Sequence, residues 1–380
     1  MKVLIVCNNA HMRGNGICTA VLSLLKHLKE RGIDAKLMAA GGKDTQDLQL
    51  DFPLKHFKIP VFEWILSSNG FQFAKVDRKV IREAVSWADV VHIAEPFPLE
   101  AATVRIAKEM NKPCVGTFHL FSENIMANIG FKKAPLANLM LTWLWRKRVY
   151  DYCSHIQCPT ATVMEHLKNN GYRSQLIVIS NGIEVPDEVY VPGTLSLDPV
   201  EILCIGRLSK EKSQDTLLEA MKHSRHRDII QLHFAGKGPR ENKYRKMADE
   251  LVSDGILQHR PIFGFYTADQ LKDIAHHSYL YIHCAWVEVE GLSCVEAIKE
   301  GLVPIIAKGS VTAAWHFALD ERSIFPESDA RALAARIDWW IEHPRERIMM
   351  GRRYAESIRK YDIERSIDRI IQMYEASMHT

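Results

Sequence analysis

The sequence predicts an α/β protein of two domains, each built on a parallel sheet. The chain has 380 residues, more than one ordinary core accommodates, which points to two domains of about 180 residues each. Short apolar runs alternate with amphipathic stretches through both halves, the pattern of strand–helix–strand units. Near the midpoint, Glu184-Val185-Pro186-Asp187-Glu188-Val189-Tyr190-Val191-Pro192-Gly193 is charged, holds two prolines and lacks helical periodicity. That composition marks an interdomain linker.

The first half opens on Lys2–Cys7, an apolar run read as a strand rather than a signal peptide, because it is short and soon polar. The periodic stretch from Thr19 to Leu28 predicts a helix ended by Gly32. Ala35–Ala39, Val90–Ile93, Cys114–Phe118 and Ile156–Cys158 read as further strands. The cycle restarts at Glu201–Gly206 and continues through Gln231–Ala235, Ile262–Phe263, Leu280–His283 and Val303–Ala307, with Ile363–Ala376 as the final helix. No repeat or low-complexity tract interrupts it.

A hydrophobic content of 47% beside a charged content of 25% is that of a globular protein in water, and no run of 18 apolar residues predicts a membrane span. The eight cysteines include no Cys-x-x-Cys pair, so they read as reduced, buried thiols of a cytoplasmic protein. Residues 1–190 carry 23 Lys and Arg against 18 Asp and Glu, and the remainder 26 against 28. The basic first half therefore expects an anionic partner. Without a recognised nucleic-acid motif, a membrane surface fits better than nucleic acid.

The chemistry concentrates in Val287-Glu288-Val289-Glu290-Gly291-Leu292-Ser293-Cys294-Val295-Glu296. The apolar run Leu280–Trp286 reads as a buried strand before it, and Val295–Glu300 reads as a helix capped by Gly301. A strand, a glycine turn and a helix start aim backbone N–H groups at an anion. The carboxylates Glu288 and Glu296 accept hydrogen bonds, as sugar hydroxyls require. Phosphate donors and hydroxyl acceptors in one turn indicate a nucleotide-sugar site. After the preceding strand, Arg207 offers a planar fork and Lys212 a compact charge, a pair suited to a diphosphate. No cluster of Asp, His or Cys has metal-ligand spacing, so no metal or other cofactor is expected.

These residues resemble the retaining family-4 glycosyltransferases. The block from Glu288 to Glu296 is similar to that family's Glu-x7-Glu signature, with Val289-Glu290 in place of Gly-Phe. Gly206-Arg207-Leu208-Ser209-Lys210-Glu211-Lys212-Ser213 resembles its Gly-Arg-Leu-x-x-x-Lys-Gly motif, with Ser213 in place of glycine. Gly236-Lys237-Gly238-Pro239 resembles its Gly-x-Gly-Pro turn, and Gly14-Asn15-Gly16 its first glycine turn, interrupted by Asn15. Thr117-Phe118-His119 resembles its Thr-x-His segment.

The resemblance implies the GT-B architecture: two Rossmann-like domains facing across a cleft, residues 1–186 completed by 363–380, and residues 187–362. It implies catalytic roles for His119, Arg207, Lys212 and Glu288. Donor binding is expected at Gly14, Asn15, Gly16, Arg207, Lys212, Gly236, Gly238, Glu288, Gly291, Leu292, Ser293 and Glu296. The donor implied is a UDP-hexose, transferred with α linkage.

The acceptor is read from the first half. Leu136–Val149, with two tryptophans and Arg146-Lys147-Arg148 at its end, follows Lys132-Lys133, the composition of a helix on an anionic bilayer. Ile59–Leu66, Phe71 and Phe73 form a second apolar patch. Resemblance to bacterial diacylglycerol and sphingolipid glycosyltransferases favours a membrane-lipid acceptor of diacylglycerol or ceramide type. The expected contacts are Lys132, Lys133, Trp143, Trp145, Arg146, Lys147 and Arg148, at the inner face of the cell membrane. A soluble or polyprenol-linked glycan is the alternative acceptor. A nucleotide-sugar binder without transferase activity, or an epimerase of the same fold, is the rival of a different class.

Overall fold

The computed structural model describes the chain apart from residues 9, 11–15, 42–49, 58–72, 129–133, 189, 191–192, 194, 196 and 380. It divides into two compact units, Met1–Gly182 with Ile363–Thr380, and Ile183–Asp362.

In the first unit β1 (Lys2–Val6), β2 (Asp34–Ala40) and β3 (Phe52–Leu54) precede a short antiparallel pair, β4 (His56–Phe57) with β5 (Phe73–Ala74). Then come β6 (Val90–Ile93), β7 (Cys114–Thr117), β8 (His155–Cys158) and β9 (Gln175–Val178). The main sheet is parallel in the order β3-β2-β1-β6-β7-β8-β9. Its helices are α1 (Gly16–Glu30), α2 (Arg78–Trp87), α3 (Pro98–Glu109), α4 (Ser122–Asn128), α5 (Pro135–Arg148) and α6 (Ala161–Asn169).

Strand burial on both faces explains the unbroken apolar run at the start of the chain: Val3 to Val6 are all fully buried. On α1, Ile17, Val21, Leu24 and Leu28 recur every three to four residues and face the same core. The C-terminal helix Ile363–Met378 adds Ile363, Ile367, Ile370 and Tyr374 to that core. Its Tyr374 hydroxyl lies 2.6 Å from His92 Nδ1, and His92 Nε2 lies 2.8 Å from Thr117 Oγ1. Burial lowers the His92 ring to about 3, so it is a neutral pin between strand and helix. Gly182 is required where the segment ends: a Cβ there would stand 2.7 Å from Ile363 Cα.

The second unit holds β10 (Val200–Ile205), β11 (Ile230–Ala235), β12 (Ile262–Gly264), β13 (Leu280–His283), β14 (Val287–Glu288), β15 (Val303–Lys308), β16 (Val311–Thr312) and β17 (Ile324–Pro326). The main sheet is parallel in the order β12-β11-β10-β13-β15-β17, and β14 pairs with β16. Around it lie α7 (Gln214–Ala220), α8 (Glu241–Ser253), α9 (Ala268–His277), α10 (Leu292–Lys299), α11 (Ala330–Glu342) and α12 (Pro344–Ser357), and the returning C-terminal helix is α13. The α9 start is secured by a capping box between Thr267 and Gln270.

Both main sheets have the doubly wound order, in which strand sequence reverses beside the first strand. The reversal lies between β1 and β6 in the first unit and between β10 and β13 in the second. Ligands of such sheets bind outside the carboxyl ends of the strands at that point. The loop after β10 carries Arg207 and Lys212, and the short strand β14 that follows β13 carries Glu288. All eight cysteines are free and buried. Among the described residues, no helix is long and apolar enough to cross a membrane.

Candidate functional site

The loop after β10 is held by its own backbone and by its neighbours. Gln214 Nε2 donates to the Arg207 carbonyl at 2.9 Å, the Tyr244 hydroxyl to the Ser209 carbonyl at 3.0 Å, and Trp286 Nε1 to the Lys210 carbonyl at 3.2 Å. The Trp286 N–H donates to the Glu211 carbonyl at 3.1 Å. The predicted strand Leu280–Trp286 therefore stops at His283, and the next three residues leave the sheet to clamp this loop. Ser213, in the family's glycine position, adopts the left-handed conformation at φ 48° that glycine takes freely. Substitution has kept the glycine-like backbone.

Two ion pairs organise the loop. Arg207 Nη2 bonds Glu211 Oε1, and Glu211 is buried. Lys212 Nζ bonds Glu288 Oε2 from across the strand reversal. Glu288 also faces His283, whose Nε2 lies 3.2 Å from Oε2. On its other side, His283 Nδ1 meets the Tyr281 hydroxyl at 3.0 Å, and that hydroxyl meets Ser293 Oγ at 3.1 Å. Burial alone would raise the Glu288 carboxyl; the Lys212 charge and the adjacent His283 ring outweigh it and set it at about 2. Burial pushes His283 below its ordinary value, Glu288 pulls it back up, and Lys212 opposes that pull.

Gly291 caps α10 at φ 89°, and a Cβ there would stand 2.8 Å from Ala314 Cβ. Glycine thus turns the chain so that the first N–H groups of α10, at Leu292 and Ser293, emerge beside Glu288. These groups have no intrahelical acceptor, and the helix dipole makes that end an anion site. Glu296 lies one turn on, on an exposed face of α10. Gly236 and Gly238 are also required by packing. A Cβ on Gly236 would come 2.0 Å from the Gly206 carbonyl oxygen, and one on Gly238 would come 2.3 Å from that of Leu208. Their freedom goes first to packing the turn against the Arg207 loop, which the Leu208 N–H to Lys237 carbonyl bond at 3.0 Å locks in place.

Within the second unit, the fold thus brings Arg207, Lys212, Glu288, Gly291, Leu292 and Ser293 to one strand reversal. Glu211 and His283 belong to the same cluster and were missed by the sequence reading. Arg207 and Glu211 stand four apart, a spacing that signals an ion pair when both are helical or in a tight loop. His283 closes an ordinary buried strand and carries no such signal.

In the first unit His119 follows β7, half-buried, and burial lowers its ring to about 4, so it is neutral at pH 7. Gly16 opens α1, whereas Gly14, Asn15, Lys132 and Lys133 lie outside the described residues, as do Ile59–Leu66 and Phe71 of the second apolar patch. Helix α5 corrects part of the expected membrane face. Trp145 is buried, edge-on to Phe97 at 6.5 Å. Arg146 turns inward and donates to the carbonyls of Asn170 and Gly171 at 2.8 and 2.9 Å. Trp143 does face solvent, together with Leu136, Leu139 and Met140, exposed by 52, 82, 59 and 68% respectively. Lys147 and Arg148 are exposed at the end of this stripe, Lys147 Nζ lying 3.0 Å from Asp151. Beside it, a hollow of about 400 Å³ is lined by Glu123, Asn138, Leu139, Thr142 and His166. Asn138 Oδ1 and His166 Nε2 are buried there without hydrogen-bond partners among the described residues.

Among the described residues, no group of three or more His, Cys, Asp or Glu side chains is placed to hold a metal ion.

Two family models match the chain. "Glycosyltransferase Family 4" matches residues 14–186, and "Glycosyl transferases group 1" matches residues 192–357. The chain is similar to the GDP-mannose-dependent alpha-mannosyltransferase of Corynebacterium glutamicum, 26% identical over 277 residues, 68% of this chain and 62% of that protein. It is also similar to the alpha-monoglucosyldiacylglycerol synthase of Streptococcus pneumoniae, 24% identical over 317 residues, 78% of this chain and 68% of that protein. Among solved structures, Anabaena Alr3699/HepE, crystallised with UDP-glucose, has the same fold. Its TM-score is 0.75 at 17% identity, covering 99% of this chain and 100% of that one.

Proposed function

Because the chain belongs to the family-4 glycosyltransferases, which have the GT-B fold, we propose that it moves a hexose from a nucleotide diphosphate to the hydroxyl of a membrane lipid with retention of the α configuration. The observation that carries this reading is the cluster in the second unit: Lys212 pairs with Glu288 beside Gly291 at the start of α10, and Arg207 stands on the same loop as Lys212, paired with Glu211. Two cations and a helix N-terminus suit a diphosphate, and a carboxylate held ionised beside them accepts hydrogen bonds from sugar hydroxyls.

The chemistry is then front-face displacement. The acceptor oxygen bonds to the anomeric carbon on the side from which the diphosphate leaves. The bond to the diphosphate breaks with its electron pair on the phosphate oxygen, and that oxygen takes the acceptor's proton. Arg207, Lys212 and the α10 amides stabilise the charge that develops there, and positioning supplies much of the remainder. Glu288, Gly291, Leu292 and Ser293 orient the donor sugar and diphosphate, and Glu296 the ribose.

For the donor, UDP-hexose follows from the resemblance of the Glu288 block. The name of the Corynebacterium relative favours GDP-mannose as a second reading. For the acceptor, the name of the Streptococcus relative supports a lipid, as do the exposed stripe on α5 and the hollow beside it. A contiguous apolar stripe on a monomer surface ending in basic residues is suited to an anionic bilayer.

The test incubates the protein with UDP-hexoses or GDP-mannose and a total bacterial lipid extract. Free nucleoside diphosphate should appear only when lipid is present, with a hexosylated lipid detected by mass spectrometry, and EDTA should leave the rate unchanged. Release without acceptor, or a full rate on a soluble glycan with no lipid, would displace the lipid-transferase reading.

A further inference from the structure

His283 is a residue that the donor-site reading leaves without a role, yet its placement is specific. It is buried, and its two nitrogens differ: Nδ1 is hydrogen-bonded, whereas Nε2 makes no hydrogen bond among the described residues. Nδ1 faces the Tyr281 hydroxyl, and Nε2 stands 3.2 Å from the Glu288 oxygen that also takes Lys212. The groups around it come from four elements: Tyr281 on β13, Glu288 on β14, Lys212 on the loop after β10, and Ser293 on α10. Behind Tyr281 lie Cys204 and Cys294. Burial holds both as neutral thiols, Cys204 at about 12 and Cys294 well above its ordinary value. Among the described residues, the charges that act on His283 are the Glu288 carboxylate and the Lys212 ammonium.

In the ligand-free protein those two neutralise one another and His283 is neutral. A diphosphate beside the loop competes for Lys212, since two phosphate oxyanions attract it more than one carboxylate. Once Lys212 turns to the ligand, Glu288 is left as a buried anion, and a buried charge without a partner is costly. His283 is within reach to replace the cation. With Lys212 withdrawn, both the repulsion that opposes its protonation and the competition for Glu288 are removed.

We infer that His283 is the proton acceptor of the donor site: as Lys212 leaves Glu288 for the diphosphate, His283 takes one proton from solvent and becomes the cation that keeps Glu288 ionised. Glu288 then remains a pure hydrogen-bond acceptor for a sugar hydroxyl while its former partner serves the leaving group. His283 acts through Glu288 and is a positioning residue. This rests on the donor-site reading above, and the experiment separates the two.

Calorimetric titration of the full chain with UDP-glucose and with GDP-mannose at pH 7 is performed in phosphate, HEPES and Tris, whose ionisation enthalpies differ. Neither ligand has a group titrating near that pH, so the dependence of the heat on buffer counts the protons the protein takes up. Between one-half and one proton per ligand is expected. His283→Gln, which keeps an N–H facing Glu288 but cannot take a proton, should bind with no buffer dependence. A second measurement does not rely on the variant: the wild-type dissociation constant should weaken as pH rises through neutrality, by up to tenfold per unit, and level off once His283 no longer takes up a proton in the complex. Binding by the wild type with no buffer dependence overturns the proposal, and so does equal proton uptake in His283→Gln. If neither ligand binds at all, the donor-site reading falls and the proton inference with it.

Discussion

Replacing Glu288 by glutamine tests the cluster as a physical object, before any question of turnover. The substitution keeps size and shape but removes the charge that Lys212 and His283 face. The carboxyl is held at about 2 against an ordinary 4.5, a difference worth on the order of 3 kcal/mol of folding stability at neutral pH. The folded value lies below the unfolded one. The contribution is therefore fully present above about pH 5 and is lost as pH falls from there toward 2. Glu288→Gln should accordingly lower the unfolding free energy of the second unit by on the order of 2–3 kcal/mol at pH 7. The gap between the two proteins should narrow as pH drops below about 4.5, because the wild type then loses its own charge. Urea unfolding over a pH series gives the gap, and hydrogen exchange at β10 and β13 assigns it to this unit. Adding Lys212→Met to Glu288→Gln should restore much of the loss, since no unpaired charge remains. A glutamine variant as stable as the wild type at pH 7, or a gap that persists unchanged to pH 3.5, would refute the reasoning.

Arg207→Gln should lower turnover by roughly 10²–10³-fold, the scale of one donor that stabilises leaving-group charge. Glu211, buried opposite Arg207, should make that variant less stable as well, so rates are compared well below its melting temperature. Gly238→Ala should cost more than about 3 kcal/mol, because its Cβ would meet the Leu208 carbonyl. Gly255→Ala, at φ +69° with open space around it, should cost only about 1 kcal/mol; thermal melts of the two variants distinguish steric conflict from backbone strain. Changing Leu139, Met140 and Trp143 together to glutamine should weaken binding to anionic liposomes at least a hundredfold, at about 1 kcal/mol or more per side chain. The melting temperature should hold, since all three are exposed. Arg146→Gln should behave in the opposite way and be seen in the melt, because its guanidinium holds the carbonyls of Asn170 and Gly171.

The alternation of strands and helices was legible because each parallel strand is buried on both faces and therefore appears as an unbroken apolar run. That same signal fails at strand ends. Cys284, Ala285 and Trp286 are as buried as the strand before them, yet they have left the sheet, and Trp286 clamps the Arg207 loop. Burial is what an apolar run reports, and hydrogen-bond partners are what it leaves out. The proposed donor cluster was legible in part for a related reason. Arg207, Lys212 and Glu288 are charged residues at the carboxyl ends of predicted strands, where a doubly wound sheet binds its ligands. His283 was hidden because its meaning lies in Lys212, 71 positions earlier in the chain but joined to it through Glu288, and no local pattern encodes that meeting.

Helix α5 shows where composition misleads and geometry corrects it. Counting basic residues put Arg146, Lys147 and Arg148 together as one membrane-facing group, but three consecutive helical residues point in directions about 100° apart. Only some of them can share a face. The exposed stripe Leu136, Leu139, Met140, Trp143 and Lys147 runs at intervals of three and four, the spacing of one helix face. On that register Trp145 lies on the opposite face, as observed, whereas Arg146 lies at the edge of the stripe and is drawn in by the carbonyls of Asn170 and Gly171. The stripe was available from spacing alone, and under the lipid-acceptor proposal it moves the bilayer contact from the basic residues to four apolar side chains with Lys147 as their charged end. Insertion should then dominate attraction, so raising salt should weaken liposome binding less than removing Trp143, Met140 and Leu139 does. Binding that vanishes with moderate salt while those three residues prove dispensable would return the membrane contact to the basic residues.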